Sequence, residues 1–159
     1  MIVRHPIEPL FDSNSRVLVL GSFPSVRSRE QGFFYGHPQN RFWKLVSGLF
    51  DEPFPETVPE RKSLILRHHL ELWDVIASCD IEGSSDSSIR SVIPNDLGRI
   101  LEHAPIERIY LNGKTAEKYY RKYAQPVVLR AAEVLPSTSP ANAAWSLARL
   151  CEAWRVILP

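Results

Sequence analysis

The sequence predicts an α/β protein, a three-layer αβα sandwich built around a central four-stranded parallel sheet. Short apolar runs alternate along the chain with stretches whose apolar residues return at helical spacing. The first of these runs, Val17-Leu18-Val19-Leu20, is apolar at every position, as a strand covered on both faces must be. Gly21 ends that run, a polar loop follows, and an amphipathic helix comes next. That succession is the ligand-binding corner of an open α/β sheet.

Each element has its own justification. Residues 17–20 form strand one. After the loop Ser22-Phe23-Pro24-Ser25 and an irregular piece with the aromatic knot Phe33-Phe34-Tyr35, a helix is expected from about Arg41 to Phe50. Its inward face is Phe42, Trp43, Leu45, Val46 and Leu49. Pro38 disfavours helix at His37, and Asn40 stands where an N-cap belongs. Pro53, Pro55 and Pro59 make residues 51–59 a loop, and a second helix covers roughly Glu60 to His69. Leu70 to Ile76 reads as strand two, and the small polar residues 80–89 as a loop at the carboxyl edge of the sheet. Asn95 or Asp96 caps a helix through Leu97, Ile100 and Leu101. Ile106 to Leu111 is strand three, closed by Asn112-Gly113, and a helix runs from Lys114 to Tyr123. Gln125 to Leu129 is expected as strand four. Ser139 as N-cap and Pro140 at the first helical position then open a last helix, Ala141 to about Val156.

Length and composition narrow the function. A chain of 159 residues, 44% apolar and 23% charged, suits one domain over residues 1–159 with a proper core. No apolar run approaches the ~20 residues of a membrane span, and no h-region of a signal peptide stands at the start. Cys79 and Cys151 alone suit a reducing cytoplasm and cannot hold a four-thiolate cluster. The net charge of +1 advertises no nucleic acid, so DNA binding has to rest on a local patch, with Arg27, Arg29 and Arg41 the nearest positive charges.

Three loops should meet at the carboxyl ends of the strands: Gly21 to Asn40, Asn112-Gly113, and Pro136 to Asn142. None carries a Ser-His-Asp set or a paired carboxylate. They carry hydroxyls, side-chain amides and aromatic faces, which bind flat polar rings and phosphates. Gly113-Lys114-Thr115 is not a phosphate-binding P-loop, because Arg108 stands where that motif needs its first glycine. His68-His69 has no third ligand nearby in sequence, so no metal site is expected there.

Gly21-Ser22-Phe23-Pro24-Ser25, followed by Gly36-His37-Pro38-Gln39-Asn40-Arg41-Phe42-Trp43, resembles the first motif region of the uracil-DNA glycosylase superfamily. The loop is similar to the G-I-N-P-G of mismatch-specific uracil and thymine-DNA glycosylases, and closer to the G-S-F-P of the hypoxanthine-DNA (deoxyinosine) glycosylase branch. Asp74 to Cys79, Gly83 to Ile89, Asn112-Gly113 and Ser137 to Asn142 match that branch in order, so the likeness covers nearly the whole chain.

The resemblance implies a monofunctional hydrolase of base excision repair that flips a deaminated base, hypoxanthine or uracil, out of DNA and cuts its N-glycosidic bond. It implies no cofactor, and a monomer is expected. Phe23 stands where mismatch-specific relatives keep their water-positioning asparagine, so the resemblance gives that catalytic task to Asn40, which otherwise only caps its helix. It makes Ser22, Phe23, Tyr35, His37 and Asn112 base-binding candidates. Phe23 would stack on the base, a contact worth roughly 1–3 kcal/mol, or pack in the core. Asn112 would read a base edge with its donor and acceptor, or simply make an Asn-Gly turn. Ser25, Arg27, Ser137, Thr138, Ser139 and Pro140 become DNA-binding candidates, the hydroxyls gripping phosphate. The tip Thr138-Ser139-Pro140-Ala141 has no long apolar plug, which suits single-stranded or easily opened sites. Alternatives are a uracil/thymine mismatch glycosylase, a silent member that binds DNA or a free base, and a small-molecule nucleosidase.

Overall fold

The computed structural model describes residues 1–159. In chain order the elements are β1 (Ile2–Arg4), β2 (Val17–Gly21), α1 (Val26–Gln31), α2 (Phe42–Leu49), α3 (Val58–Arg67), β3 (Leu70–Asp74), β4 (Ile76–Asp80), β5 (Arg90–Pro94), α4 (Leu97–Leu101), β6 (Arg108–Asn112), α5 (Lys114–Tyr119), α6 (Gln125–Val128), β7 (Glu133–Leu135) and α7 (Leu147–Trp154). The central sheet has the order β3-β2-β6-β7, and every pairing in it is parallel. With helices around it this is the expected αβα sandwich on a four-stranded parallel sheet. No helix is long and apolar enough to cross a membrane.

The core follows from the apolar runs. Leu18, Val19 and Leu20 of β2 have no accessible surface, and neither have Leu70 and Leu72 of β3 nor Leu111 of β6. The apolar stripe of α2 packs as its spacing requires: Phe42 meets Trp154 of α7 edge-on at 6.1 Å, and Trp43 stacks on Phe33 at 5.9 Å.

Several elements depart from the sequence reading, each for a local reason. Leu70 to Ile76 is not one strand. Asn95 Nδ2 donates to the carbonyls of both Asp74 (2.8 Å) and Ile76 (3.2 Å), bending the chain at Val75. Beyond the bend, β4 leaves the main sheet and joins β1 and β5 in a small antiparallel sheet, order β1-β4-β5. Residues 125–129 are not strand four. Pro126 lies in the first turn of α6, where a missing N–H costs little. The preceding turn widens to π geometry, with the Gln125 N–H bonding to the Tyr120 carbonyl. Val127 and Leu129 stay 76% and 82% exposed, so their β-branched and apolar character found no sheet to join, and β7 takes the fourth place.

The last helix starts later than expected. Ser139 Oγ accepts the N–H of Ala141 in a local turn, and Ser146 is the real N-cap of α7, accepting the N–H of Arg149. The reason is Arg41. Its guanidinium takes the carbonyls of Ser139, Asn142 and Trp145, groups a helix from Ala141 would need for its own ladder. Other short elements went unread: the strands β1, β5 and β7, the helix α1, capped by Ser25, and the first turn of α3, where Thr57 accepts the N–H of Glu60.

Candidate active site

At the carboxyl edge of the sheet three strands end side by side. Gly21 of β2 pairs in register with Asp74 of β3, and Leu20 pairs with Leu111, one step before Asn112 of β6. Parallel neighbours at one level point to the same face, so Asp74, Gly21 and Asn112 form a row. Gly21 supplies space in that row. A Cβ there would lie 2.3 Å from Asp74 Oδ1 and 3.4 Å from the Tyr35 hydroxyl. Above the row opens a cavity of about 260 Å³, walled by the loop after β2, by His37 and Asn40 before α2, and by residues 137–141.

Asp74 was not among the expected site residues. Its Oδ2 accepts from His5 Nε2 at 2.6 Å, both side chains being nearly inaccessible. The other ring nitrogen, Nδ1, accepts the N–H of Ile7, which leaves the proton on Nε2 and the imidazole neutral. The small sheet holds this pair: the His5 N–H donates to the Ala77 carbonyl at 2.7 Å, just past the bend that ends β3. The sequence signal for Asp74 was its place, directly after a strand reading Leu-Glu-Leu-Trp. Nothing local points to His5.

Tyr35 stacks on Phe42 at 4.2 Å and holds a left-handed backbone, φ 52°. Its hydroxyl is buried at the cavity without a hydrogen-bond partner. Burial first, then the Asp74 carboxylate, push this phenol well above the usual tyrosine range, while the Asn112 amide offsets part of the rise. Tyr35 is therefore a neutral donor. Phe23 also lines the cavity, with His5 edge-on at 5.9 Å and the Arg29 guanidinium 5.5 Å from its ring centre. His37 Nδ1 accepts the N–H of Gln39, leaving Nε2 free at the cavity wall.

Asn40 does two things at once. Its Oδ1 accepts the N–H of Phe42 at 2.9 Å, bracing the start of α2, while the residue lines the cavity. The helix itself begins after Arg41, so Asn40 is not its N-cap. Asn112 exchanges hydrogen bonds with Thr138: Thr138 N–H donates to Oδ1, and Nδ2 donates to the Thr138 hydroxyl, each at 3.0 Å. Gly113 follows at φ 98°, and a Cβ there would come within 3.0 Å of Ser137 Cβ, so glycine lets the two loops close on each other.

Among the expected DNA-binding residues, the structure separates accessible groups from committed ones. Ser25, Ser137, Ser139 and Pro140 line the cavity, as does the base-binding candidate Ser22, and Arg27 is exposed outside it. Thr138 does not reach a phosphate: it has no accessible surface, and its polar groups bond within the protein. Ser25 caps α1, with its hydroxyl also donating to Ser28 Oγ. Arg41 is no part of a surface patch, because its charge ties down the 139–145 loop, and Arg29 binds the Pro24 and Gly83 carbonyls. No three His, Cys, Asp or Glu side chains gather as a metal-holding group.

A model of the Uracil DNA glycosylase superfamily matches residues 8–158. The chain belongs to that superfamily. It is 33% identical to a hypoxanthine DNA glycosylase of Methanosarcina acetivorans over 98% of both chains. It is 31% identical to one of Methanosarcina barkeri, over 84% of this chain and 85% of that one. Its backbone is similar to the solution structure of a candidate uracil DNA glycosylase from M. acetivorans, with a TM-score of 0.78, 32% identity and 99% of both chains covered.

Proposed function

We propose that this DNA glycosylase removes hypoxanthine from DNA, and uracil second, by hydrolysing the N-glycosidic bond of a nucleotide flipped into the cavity. One observation carries the reading: Asn40 and Asn112 stand at one cavity, joined through a single buried threonine, above a row of strand ends. Two side-chain amides and a buried phenol around one cavity suit a flat ring bearing carbonyl and N–H groups. The relatives named as hypoxanthine DNA glycosylases support the choice of base.

The chemistry needs charge stabilisation more than acid–base catalysis. As the bond breaks, its electron pair stays on the base nitrogen and positive charge grows on the sugar. A water oxygen then bonds to the anomeric carbon and loses a proton, while the base gains one. Asn40 holds that water in the cavity. Tyr35 and Asn112 hydrogen-bond the base, Phe23 offers it a ring face, and Ser137 and Ser139 contact the flanking backbone. The partner is DNA carrying a deaminated base. One chain supplies every group named, so the reaction as written needs no second copy, and we read the enzyme as a monomer.

The test is alkali-revealed cleavage of end-labelled DNA carrying one hypoxanthine, beside uracil, thymine-mismatch and undamaged strands, with wild type and Asn40→Ala. Cleavage at hypoxanthine that falls by about 10²-fold or more in the variant is expected, with DNA affinity retained. Cleavage at uracil alone would correct the base. Binding without cleavage of any strand would refute the enzyme reading.

A further inference from the structure

Asn40 stands in the loop before α2 and Asn112 at the end of β6, yet one side chain touches both. Thr138 Oγ1 donates to Asn40 Oδ1 at 2.9 Å and accepts from Asn112 Nδ2 at 3.0 Å, and the residue has no accessible surface. We propose that Thr138 is the positioning residue of this site, fixing which end of each asparagine faces the base and the attacking water. The proposal rests on the glycosylase reading above.

The proton arrangement around Thr138 has a single solution. A backbone N–H can only donate, so Phe42 N–H at 2.9 Å makes the Asn40 atom it meets the carbonyl oxygen. Thr138 N–H does the same for Asn112 Oδ1 at 3.0 Å. Asn112 must then present Nδ2 to the threonine hydroxyl, which accepts, and the hydroxyl's one hydrogen goes to Asn40. The Thr138 carbonyl is used as well, accepting the N–H of Arg41 at 3.1 Å. Every polar group of this buried residue is satisfied, and neither amide can turn over without leaving a buried donor unpaired.

This direction has chemical consequences. Asn40 Oδ1 already accepts two hydrogen bonds, which fills its lone pairs. Only the Nδ2 hydrogens of Asn40 remain for the cavity. Asn40 thus holds water by the water's oxygen and does not take its proton. Asn112 keeps one N–H and one lone pair, an adjacent donor and acceptor for a base edge. Threonine suits the position because its hydroxyl both donates and accepts. Valine has the same shape and neither bond.

The experiment compares wild type, Thr138→Val and Thr138→Ser in single-turnover release of hypoxanthine and in DNA affinity by fluorescence anisotropy. Side-chain amide exchange of Asn40 and Asn112 is measured by NMR on the same proteins without DNA. Thr138→Val is expected to lose roughly 10- to 100-fold in rate with DNA affinity nearly unchanged, and Thr138→Ser to recover most of that rate. The Asn112 amide hydrogen, protected in wild type and Thr138→Ser, should exchange quickly in Thr138→Val. A valine variant as fast as wild type, or a serine variant as slow as valine, would overturn the proposal. So would wild-type amide exchange in the valine variant. If wild type releases no base from any DNA, the glycosylase reading fails, and the exchange data still decide whether Thr138 holds the two amides.

Discussion

Glu71 offers the most quantitative test of this structure. It sits inside β3, opposite Leu18 of β2, with no accessible surface and no hydrogen-bond partner for either carboxylate oxygen. Burial pushes its carboxyl from 4.5 up to about 8. The folded protein therefore holds this proton more tightly than the unfolded chain does. The sign follows directly: stability is full below the unfolded value of 4.5, declines as pH rises toward about 8, and levels off beyond it. At about 1.4 kcal/mol per unit, the full excursion corresponds to roughly 5 kcal/mol, a ceiling that local relaxation and water entry reduce to a few kcal/mol. Glu71→Gln keeps the shape and removes the charge, so it should match wild type near pH 5 and exceed it by about 2–4 kcal/mol near pH 9. Urea unfolding of both proteins across that range reads the difference. Parallel stability curves, or a glutamine variant weaker than wild type at the alkaline end, would show that Glu71 is not a buried neutral acid.

Other consequences concern the cavity. Tyr35→Phe removes a buried hydroxyl that has no partner in the protein, so thermal unfolding should rise by about 1 kcal/mol while hypoxanthine release slows. A variant that gains no stability and loses no rate would mean that the hydroxyl contacts neither protein nor base. Gly21→Ala sets a methyl 2.3 Å from Asp74 Oδ1, and His5 holds that carboxylate against moving aside. A loss of about 1–3 kcal/mol, read by denaturant melt, should accompany near-complete loss of base release. Arg41→Met leaves the carbonyls of Ser139, Asn142 and Trp145 without their cation. Roughly 2–4 kcal/mol of stability should go with it, and limited proteolysis should now cut between residues 139 and 146.

The sheet was legible because its information is local. Four apolar residues in a row at 17–20 admit little but a doubly covered strand, and the spacing of Phe42, Trp43, Leu45 and Val46 admits little but a helix packed on it. The Gly-Ser-Phe-Pro loop, Asn112-Gly113 and the 137–142 segment were readable as loops that could meet at the carboxyl edge, but it was the family resemblance, not spacing, that singled out Asn40 and Asn112 among them.

Tertiary structure decided the rest. Val127-Val128 has strand character, but a strand needs a neighbour, and the place beside β6 went to residues 133–135. Ser139-Pro140 is a sound helix start, overruled by a guanidinium about a hundred residues earlier in the chain that claims the carbonyls the helix would use. His5 and Asp74 are 69 positions apart and meet only because Asn95 bends the chain at Val75 and sends β4 toward β1. Thr138 looked like a phosphate-binding hydroxyl because sequence cannot reveal which way a loop faces. In the fold it points inward and joins two asparagines that lie 72 residues apart in the chain, Asn40 and Asn112. Short-range patterns and residue types therefore determine which groups this protein can bring to its cavity. Which of those groups remain free to act is determined by long-range hydrogen bonds, because every buried donor and acceptor must find its partner elsewhere in the chain.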